Sequence, residues 1–212
     1  MKIAHIITGL NNGGAEAALF RLTTNDKKNT HHIISLMGEG IYGDLLPNFG
    51  VQIHTLDMPR GKISLGGLLK LYKLLSDMAP DVVQTWMYHA DLLGGVVARL
   101  ARVSKVVWGI RGPFNRSLTP VRTKVIIRLC ALLSNWIPTL VVSNSIHAAE
   151  VHRKAGYSSG KLVCIPNGYS FEEFKPSRLA GDSLRQEINL GSNVFLIGMV
   201  ARFDSYKDHD NL

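Results

Sequence analysis

Cysteine is scarce, acid is in deficit and no long apolar run is free of polar breaks. Cys130 and Cys164 are the only cysteines, each inside an apolar run of the kind that packs a core. A disulfide framework and a thiolate zinc site are therefore not expected, and a reducing cytoplasm fits. The most apolar long stretch, Val125 to Val142, is interrupted by Arg128, Ser134, Asn135 and Pro138, so it does not read as a spanning helix. The N-terminal "MKIAHIITGL" is a short apolar stretch broken by His5 and lacks a cleavage-site pattern, so it reads as a first strand and not as a signal peptide. The expectation is a protein that is soluble, or that lies on a membrane without crossing it. RNP, zinc-knuckle and helix-turn-helix signatures are also missing and the basic residues are scattered, which counts against nucleic acid. Even so, 24 Lys and Arg against 16 Asp and Glu leave +8, a surplus that suits phosphate or an acidic membrane surface.

What is present is an ordinary globular composition, 46% hydrophobic and 19% charged, in 212 residues. That length suits one full domain, or one domain plus a fragment of another. Short β-branched runs, "KIAHII", "HHIISLM", "VQIHTL", "DVVQTW", "KVVWGI", "TLVVSN" and "KLVCIP", read as strands. Helical patterns fall between most of them, at about Ala15–Thr24, Leu65–Met78, Asp91–Ala101, Pro120–Trp136 and Ser145–Ala155. This alternation predicts an α/β fold with a parallel sheet covered by helices. No repeat or low-complexity tract is visible. After "IPNGYSFEEFKP" the chain turns polar and irregular, and "VFLIGMVARF" then reads as the first strand of something new. The expected organisation is a first domain at 1–170, a linker at 171–193 and the start of a second domain at 194–212, announced but not supplied.

In an open parallel sheet, ligands bind where the strands' carboxyl ends and the helix N-termini point unpaired N–H groups. "TGLNNGGAE" lies at the end of the first strand. Gly13 and Gly14 would let the backbone turn sharply and a phosphate or sugar approach closely, and Glu16 in the first helical turn suits the helix dipole. A plain tight turn with Ala15, Ala17 and Ala18 packing closely on the sheet explains the pair equally well. The glycines at 9, 13 and 14 do not form G-x-G-x-x-G and no GK[ST] follows, which disfavours an NAD-dependent dehydrogenase and a P-loop. His89 in "TWMYHADLLGG" and Arg111 in "WGIRGP" follow strands and would face the same crevice, the one for a hydroxyl or phosphate, the other for a carboxylate or phosphate. A satisfied histidine and a structural ion pair are the plainer fates of each. Asn167 and Gly168 are expected in a turn with positive φ. Arg202 and Lys207 flank a loop after the "VFLIGMVARF" strand and could neutralise a diphosphate. Arg116, Arg122, Lys124 and Arg128 accompany an apolar segment ending in Trp136, which is either a surface for anionic lipid or a core helix with a solvated basic side.

"GGAE", "YHADLLG", "VSNS", "CIPNGYSFEEF" and "VARFDSYKDHDNL" occur in this order across essentially the whole chain. Together they resemble the amino-terminal half of a retaining glycosyltransferase of family 4, with a GT-B fold of two facing Rossmann-like domains, similar to bacterial enzymes of lipopolysaccharide and other cell-surface polysaccharide biosynthesis. The resemblance implies a UDP- or GDP-linked sugar donor, a glycan or lipid-linked acceptor bound by this first domain, and no cofactor or essential metal. It places Gly13 and Gly14 against the donor's phosphates and sugar, His89 by the transferred sugar, and Arg202 and Lys207 on the donor diphosphate. It also implies a cytoplasmic enzyme meeting the inner face of the membrane through the basic helix. Departures from the family pattern are Tyr169 and Ser170 where an apolar residue and Asp usually follow Asn-Gly, the unusual "IRGP", and the absence of the glutamate pair of the second domain. This chain alone is therefore expected to be inactive or nearly so. The reading from a different class is a non-catalytic acceptor-binding or membrane-docking half of a split glycosyltransferase.

Overall fold

The computed structural model describes residues 1–115, 117–172, 174–201, 203 and 207–211. It divides into two compact units, Met1–Gly168 and Tyr169–Leu212. In the first, β1 (Lys2–Ile7), β2 (Thr30–Ser35), β3 (Gln52–Thr55), β4 (Val82–Trp86), β5 (Val106–Ile110), β6 (Leu140–Ser143) and β7 (Leu162–Cys164) form one sheet in the order β3-β2-β1-β4-β5-β6-β7. Every pairing is parallel. All seven strands expected in this unit are formed, and with their flanking helices they give the doubly wound, Rossmann-like fold.

Five helices match the sequence pattern: α1 (Gly14–Asn25), α3 (Leu65–Met78), α4 (Tyr88–Leu100), α5 (Val121–Leu133) and α6 (Ile146–Lys154). Between them lies α2 (Gly40–Leu45), continued by a 3-10 turn at Leu46–Phe49 that the sequence does not announce, because Gly43 and Pro47 interrupt any periodicity. Ser64 caps α3 by accepting from Gly67 N at 3.3 Å, and Ser145 caps α6 by accepting from Ala148 N at 3.1 Å. Helix α4 starts three residues before the expected Asp91, at Tyr88, directly on the end of β4.

The sheet is buried on both faces. Leu71 and Leu75 of α3, Ala90, Val97 and Ala98 of α4, and Ile127, Cys130 and Ala131 of α5 pack with Val83 and Trp108 in one layer. Ile7, Leu10, Ala18, Leu19, Ile33 and Trp86 form the other. Cys130 lies in the core as expected, where burial pushes its thiol pKa up. Cys164 does not: it ends the edge strand β7 and is exposed, having a neighbouring strand on one side only.

In the second unit, the stretch expected to be irregular contains α7 (Arg178–Glu187), capped by Ser177 accepting from Ala180 N at 3.2 Å. Its signal is a serine cap and spaced leucines in a polar segment. The run after Val194, expected as a strand, is unpaired through residue 201. A strand exists only against a partner, and no other described segment of this unit supplies one.

Helix α4 sits on the sheet through glycines. A Cβ on Gly95 would meet the Trp108 indole nitrogen, and one on Gly109 would lie 2.6 Å from the Thr85 carbonyl oxygen. Asp91, fully buried, ties this region together: its Oδ1 accepts from Thr85 Oγ1 at 2.6 Å and from Gly109 N at 3.3 Å. Burial pushes the Asp91 carboxyl up to about 8, against the opposing pull of those two donors, so it is neutral at pH 7.

Two outcomes follow. Gly109→Ala should destabilise the protein by about 1–3 kcal/mol in urea denaturation, because the clash is with backbone and cannot swing away. For Asp91, the folded-state pKa near 8 exceeds the ordinary 3.8, so the folded state holds the extra proton between those values. Its contribution to stability is therefore lost as pH rises through that window. Melting temperatures of the wild type should fall more steeply from pH 5 to pH 8 than those of Asp91→Asn, and parallel slopes would contradict the assignment.

Candidate functional site

The sheet order reverses between β1 and β4, so the segments leaving these neighbouring strands diverge and open a crevice at their carboxyl ends. Ile7 pairs with Trp86, and the glycine loop and the β4–α4 turn leave the sheet at the same level. The glycine loop is held by Met37 N donating to Thr8 O at 3.1 Å and Tyr42 N donating to Leu10 O at 3.0 Å. The chain bends at Asn11, Asn12 and Gly13, with Gly13 extended at φ −160° and Gly14 opening α1, and neither glycine takes a positive φ. Their value is space. A Cβ on Gly13 would strike the Glu16 carboxylate, and one on Gly14 would meet no protein atom within 4 Å. The position that demands glycine for conformation is Gly40, with φ +57° and Leu10 carbonyl carbon 2.5 Å from its would-be Cβ.

The β4–α4 turn passes through Met87 at φ 73°, ψ 157°, a region that costs a residue other than glycine about 1–3 kcal/mol. It is held there by Met87 N donating to Gly109 O at 3.0 Å and by Asp91 N donating to Met87 O at 2.8 Å. The result is a helix that begins immediately after the strand and presents His89, exposed, in its first turn. Desolvation lowers the His89 pKa from its ordinary value, so the imidazole is neutral at pH 7 and able both to donate and to accept.

Arg111, just past β5, is fixed along its length. Its carbonyl accepts from Asn144 Nδ2 at 3.2 Å, its guanidinium donates from Nη2 to Asn167 Oδ1 at 2.9 Å, and its Cζ lies 4.6 Å from the centroid of the Trp86 ring. Asn167 thus joins the site through its side chain. The positive φ expected at Asn167 and Gly168 is absent; the exposed Gly168 follows in an unturned segment. Sequence reasoning did not single out Trp86, Met87 or Asn144. Only Asn144 had a signal, in "VSNS".

The first unit thus brings Gly13, Gly14, Glu16, His89, Arg111 and Asn167 to the loops and first helical turns at the carboxyl edge of one sheet. Lys207 is exposed in the second unit, and Arg202 lies outside the described residues. Among the described residues, no group of three His, Cys, Asp or Glu side chains could hold a metal ion, and no helix is long and apolar enough to cross a membrane.

The profile of the family described as Glycosyltransferase Family 4 matches residues 12–173. An Escherichia coli protein, UDP-Gal:alpha-D-GlcNAc-diphosphoundecaprenol alpha-1,3-galactosyltransferase, is 30% identical over 136 residues, 64% of this chain and 35% of that protein. Among solved structures, Anabaena HepE in complex with UDP-glucose superposes with a TM-score of 0.80 at 21% identity, covering 99% of this chain and 55% of HepE. A glycosyltransferase from Rickettsia africae gives 0.62 at 16% identity, with 91% and 50% covered. These structural likenesses carry the fold. The chain spans about a third of the curated relative and just over half of HepE. With the family profile covering residues 12–173, most of the first unit, the chain belongs to glycosyltransferase family 4.

Proposed function

We propose that the chain is the acceptor-side, N-terminal part of a retaining glycosyltransferase that moves a sugar from a UDP- or GDP-linked donor to a glycan or lipid-linked acceptor in cell-surface polysaccharide biosynthesis. The observation that carries this reading is the placement of open space over Gly14, the neutral His89 and the fixed Arg111 at the carboxyl ends of β1, β4 and β5, around the β1/β4 reversal. Support for the donor comes from HepE, whose structures hold UDP and UDP-glucose, and from the name of the E. coli relative, which specifies UDP-Gal and a diphosphoundecaprenol acceptor.

In this reading Gly14 leaves room for donor or acceptor to lie on the backbone. Glu16, an acceptor-only carboxylate beside Gly13, suits sugar hydroxyls better than phosphate. His89 hydrogen-bonds the transferred sugar, and Arg202 and Lys207 stabilise the charge developing on the leaving diphosphate. Displacement on the donor's front face, with the departing phosphate helping to deprotonate the acceptor hydroxyl, gives retention. The first domain alone lacks most of the donor pocket and is inactive or nearly so.

Peripheral contact with the inner face of the cytoplasmic membrane belongs to the same proposal. Helix α5 buries Ile127, Cys130 and Ala131 on one side, while Val121 (73% exposed), Val125, Leu129 and Leu132 (62%) form an opposite apolar stripe, with Trp136 (67%) exposed in the turn just past the helix. Arg122, Lys124 and Arg128 flank it, and no acid occurs between Ser117 and Ile137. A core helix with a solvated basic side would not expose that stripe; an apolar band rimmed by cations fits the interface of anionic lipid. The docking-module reading rests on this stripe alone, so sugar transfer by the same full-length polypeptide decides for the enzyme.

Two measurements test these assignments. In the full-length protein, with a UDP-sugar and a polyprenyl-diphosphate-linked GlcNAc, Gly14→Val should abolish transfer with an unchanged melting temperature. His89→Ala should lower turnover by about ten- to a hundredfold, roughly 1.4–2.8 kcal/mol of transition-state stabilisation; wild-type rates in either variant would remove that residue from the site. For the membrane contact, the Leu132→Glu/Trp136→Glu double variant should lose co-sedimentation with phosphatidylglycerol vesicles, and wild-type binding should weaken as salt is raised. Unchanged binding by the double variant would exclude α5 as the contact.

A further inference from the structure

A file of polar side chains crosses the apolar layer beneath α1. Asp26, at the C-terminus of α1, has one carboxylate oxygen 3.3 Å from His31 Nε2. His31 Nδ1 lies 3.0 Å from His5 Nε2, and Trp86 Nε1 donates to His5 Nδ1 at 3.3 Å. The parallel register puts these residues on one face: His31 pairs with Ile3 in β1, two residues before His5, and Trp86 pairs with Ile7, two residues after it. The file runs diagonally from the amino end of β2 to the carboxyl end of β4, among Ile7, Leu19 and Ile33. Beyond it lies Arg111, whose guanidinium stacks on the Trp86 ring.

The donors and acceptors have only one consistent direction. An indole N–H can only donate, so His5 Nδ1 must accept and its proton sits on Nε2. His5 then donates to His31 Nδ1, leaving the His31 proton on Nε2, which lies within ion-pair distance of the Asp26 carboxylate but makes no hydrogen bond to it. Asp26 is kept ionised by hydrogen bonds from Asn29 and from Lys28 N. His5, 1% exposed, is lowered to about 3 by burial and by the neighbouring His31, so it does not charge and reverse the order at ordinary pH. Hydrogen-bonded polar groups in a core fix orientation in a way that apolar packing does not. The group whose orientation is fixed here is the indole under Arg111.

We infer that the buried His31 and His5, with Asp26 at their surface end, form a positioning chain that holds the Trp86 indole as a plate for Arg111, so that Trp86 and His5 set the geometry of the crevice's anion-binding guanidinium. The inference rests on the functional reading above for the identity of the crevice. Its chemistry is recognition of a diphosphate or similar anion by Arg111, with Asn167 bracing the fork.

Calorimetric titration of the 212-residue chain with inorganic pyrophosphate tests it without requiring sugar transfer, so its failure and that of the transferase reading are distinguishable. Arg111→Ala should weaken binding by about tenfold or more. Trp86→Phe keeps a ring but removes the N–H, and His5→Leu breaks the chain; each should weaken binding severalfold. His5→Gln, which can accept from the indole and donate to His31, should restore it. Wild-type affinity in Trp86→Phe and His5→Leu, or in Arg111→Ala, would overturn the inference, as would no pyrophosphate binding by the wild type. If the core variants do not fold, the wild type still decides: nitrogen-15 NMR should show His5 protonated at Nε2, and an Nδ1-protonated ring would overturn the chain.

Discussion

The parallel pairing of β1 with β4 is the contact from which the rest of the crevice takes its position. It sets Ile7 against Trp86, and the ladder continues from Trp86 to Gly109, while Ile110 faces Ser143 and Ser143 faces Cys164. Each strand therefore releases its chain near a common level, and each release carries a group of the site: the glycine loop, the Met87 turn with His89, Arg111, Asn144 and Asn167. Because parallel pairing admits no slip without turning every side chain to the opposite face, this level is fixed by burial. The strained Met87 backbone is tolerated because β5 and Asp91 hold both sides of its peptide unit.

Two polar intrusions into the core flank that pairing, one on each face of the sheet, and each avoids a buried charge differently. On the α4 side, Asp91 keeps its proton, since two hydrogen bonds do not compensate a desolvated carboxylate. On the α1 side, His5 remains a neutral imidazole that relays hydrogen bonds, and the only ionised member, Asp26, sits at the protein surface end of the file. Apolar residues at these positions would pack without a desolvation cost. What the polar ones add is direction, at the strand ends where loops must be aimed.

The strands of the sheet and the five helices α1, α3, α4, α5 and α6 were readable because burial imposes their periodicities on the sequence: paired β-branched runs for a sheet covered on both faces, apolar spacing for helices lying on it. The candidate positions His89 and Arg111 were readable for a related reason, since a polar residue directly after a strand falls at the carboxyl edge. Met87 carries no sign in its side chain of the backbone it adopts, so its strain was not readable. His5 looked like an interruption of an apolar run, and its role emerges only when β1 and β2 are paired. The capped but polar α7 was missed for lack of an apolar stripe. The run after Val194 has the composition of a strand, and composition does not provide a partner.

The charges at the crevice are not mixed. Glu16 leans over the Gly13 side of the loop after β1, whereas Arg111 is braced beyond β5, with the neutral His89 leaving from β4 between them in the sheet order. A ligand anion placed by Gly13 would face a carboxylate, while one placed by Arg111 would meet a guanidinium whose approach is already organised by Trp86 and Asn167. Under the transferase reading, these electrostatics would orient a ligand that has both hydroxyls and a phosphate: hydroxyls toward the glycine loop, phosphate toward β5. Under the transferase reading, that polarity is what a sugar carried on a lipid diphosphate possesses. On that reading, a glycine-rich loop can follow a strand in this fold without the fingerprint of a dinucleotide site, because open space over Gly14 leaves room for a sugar.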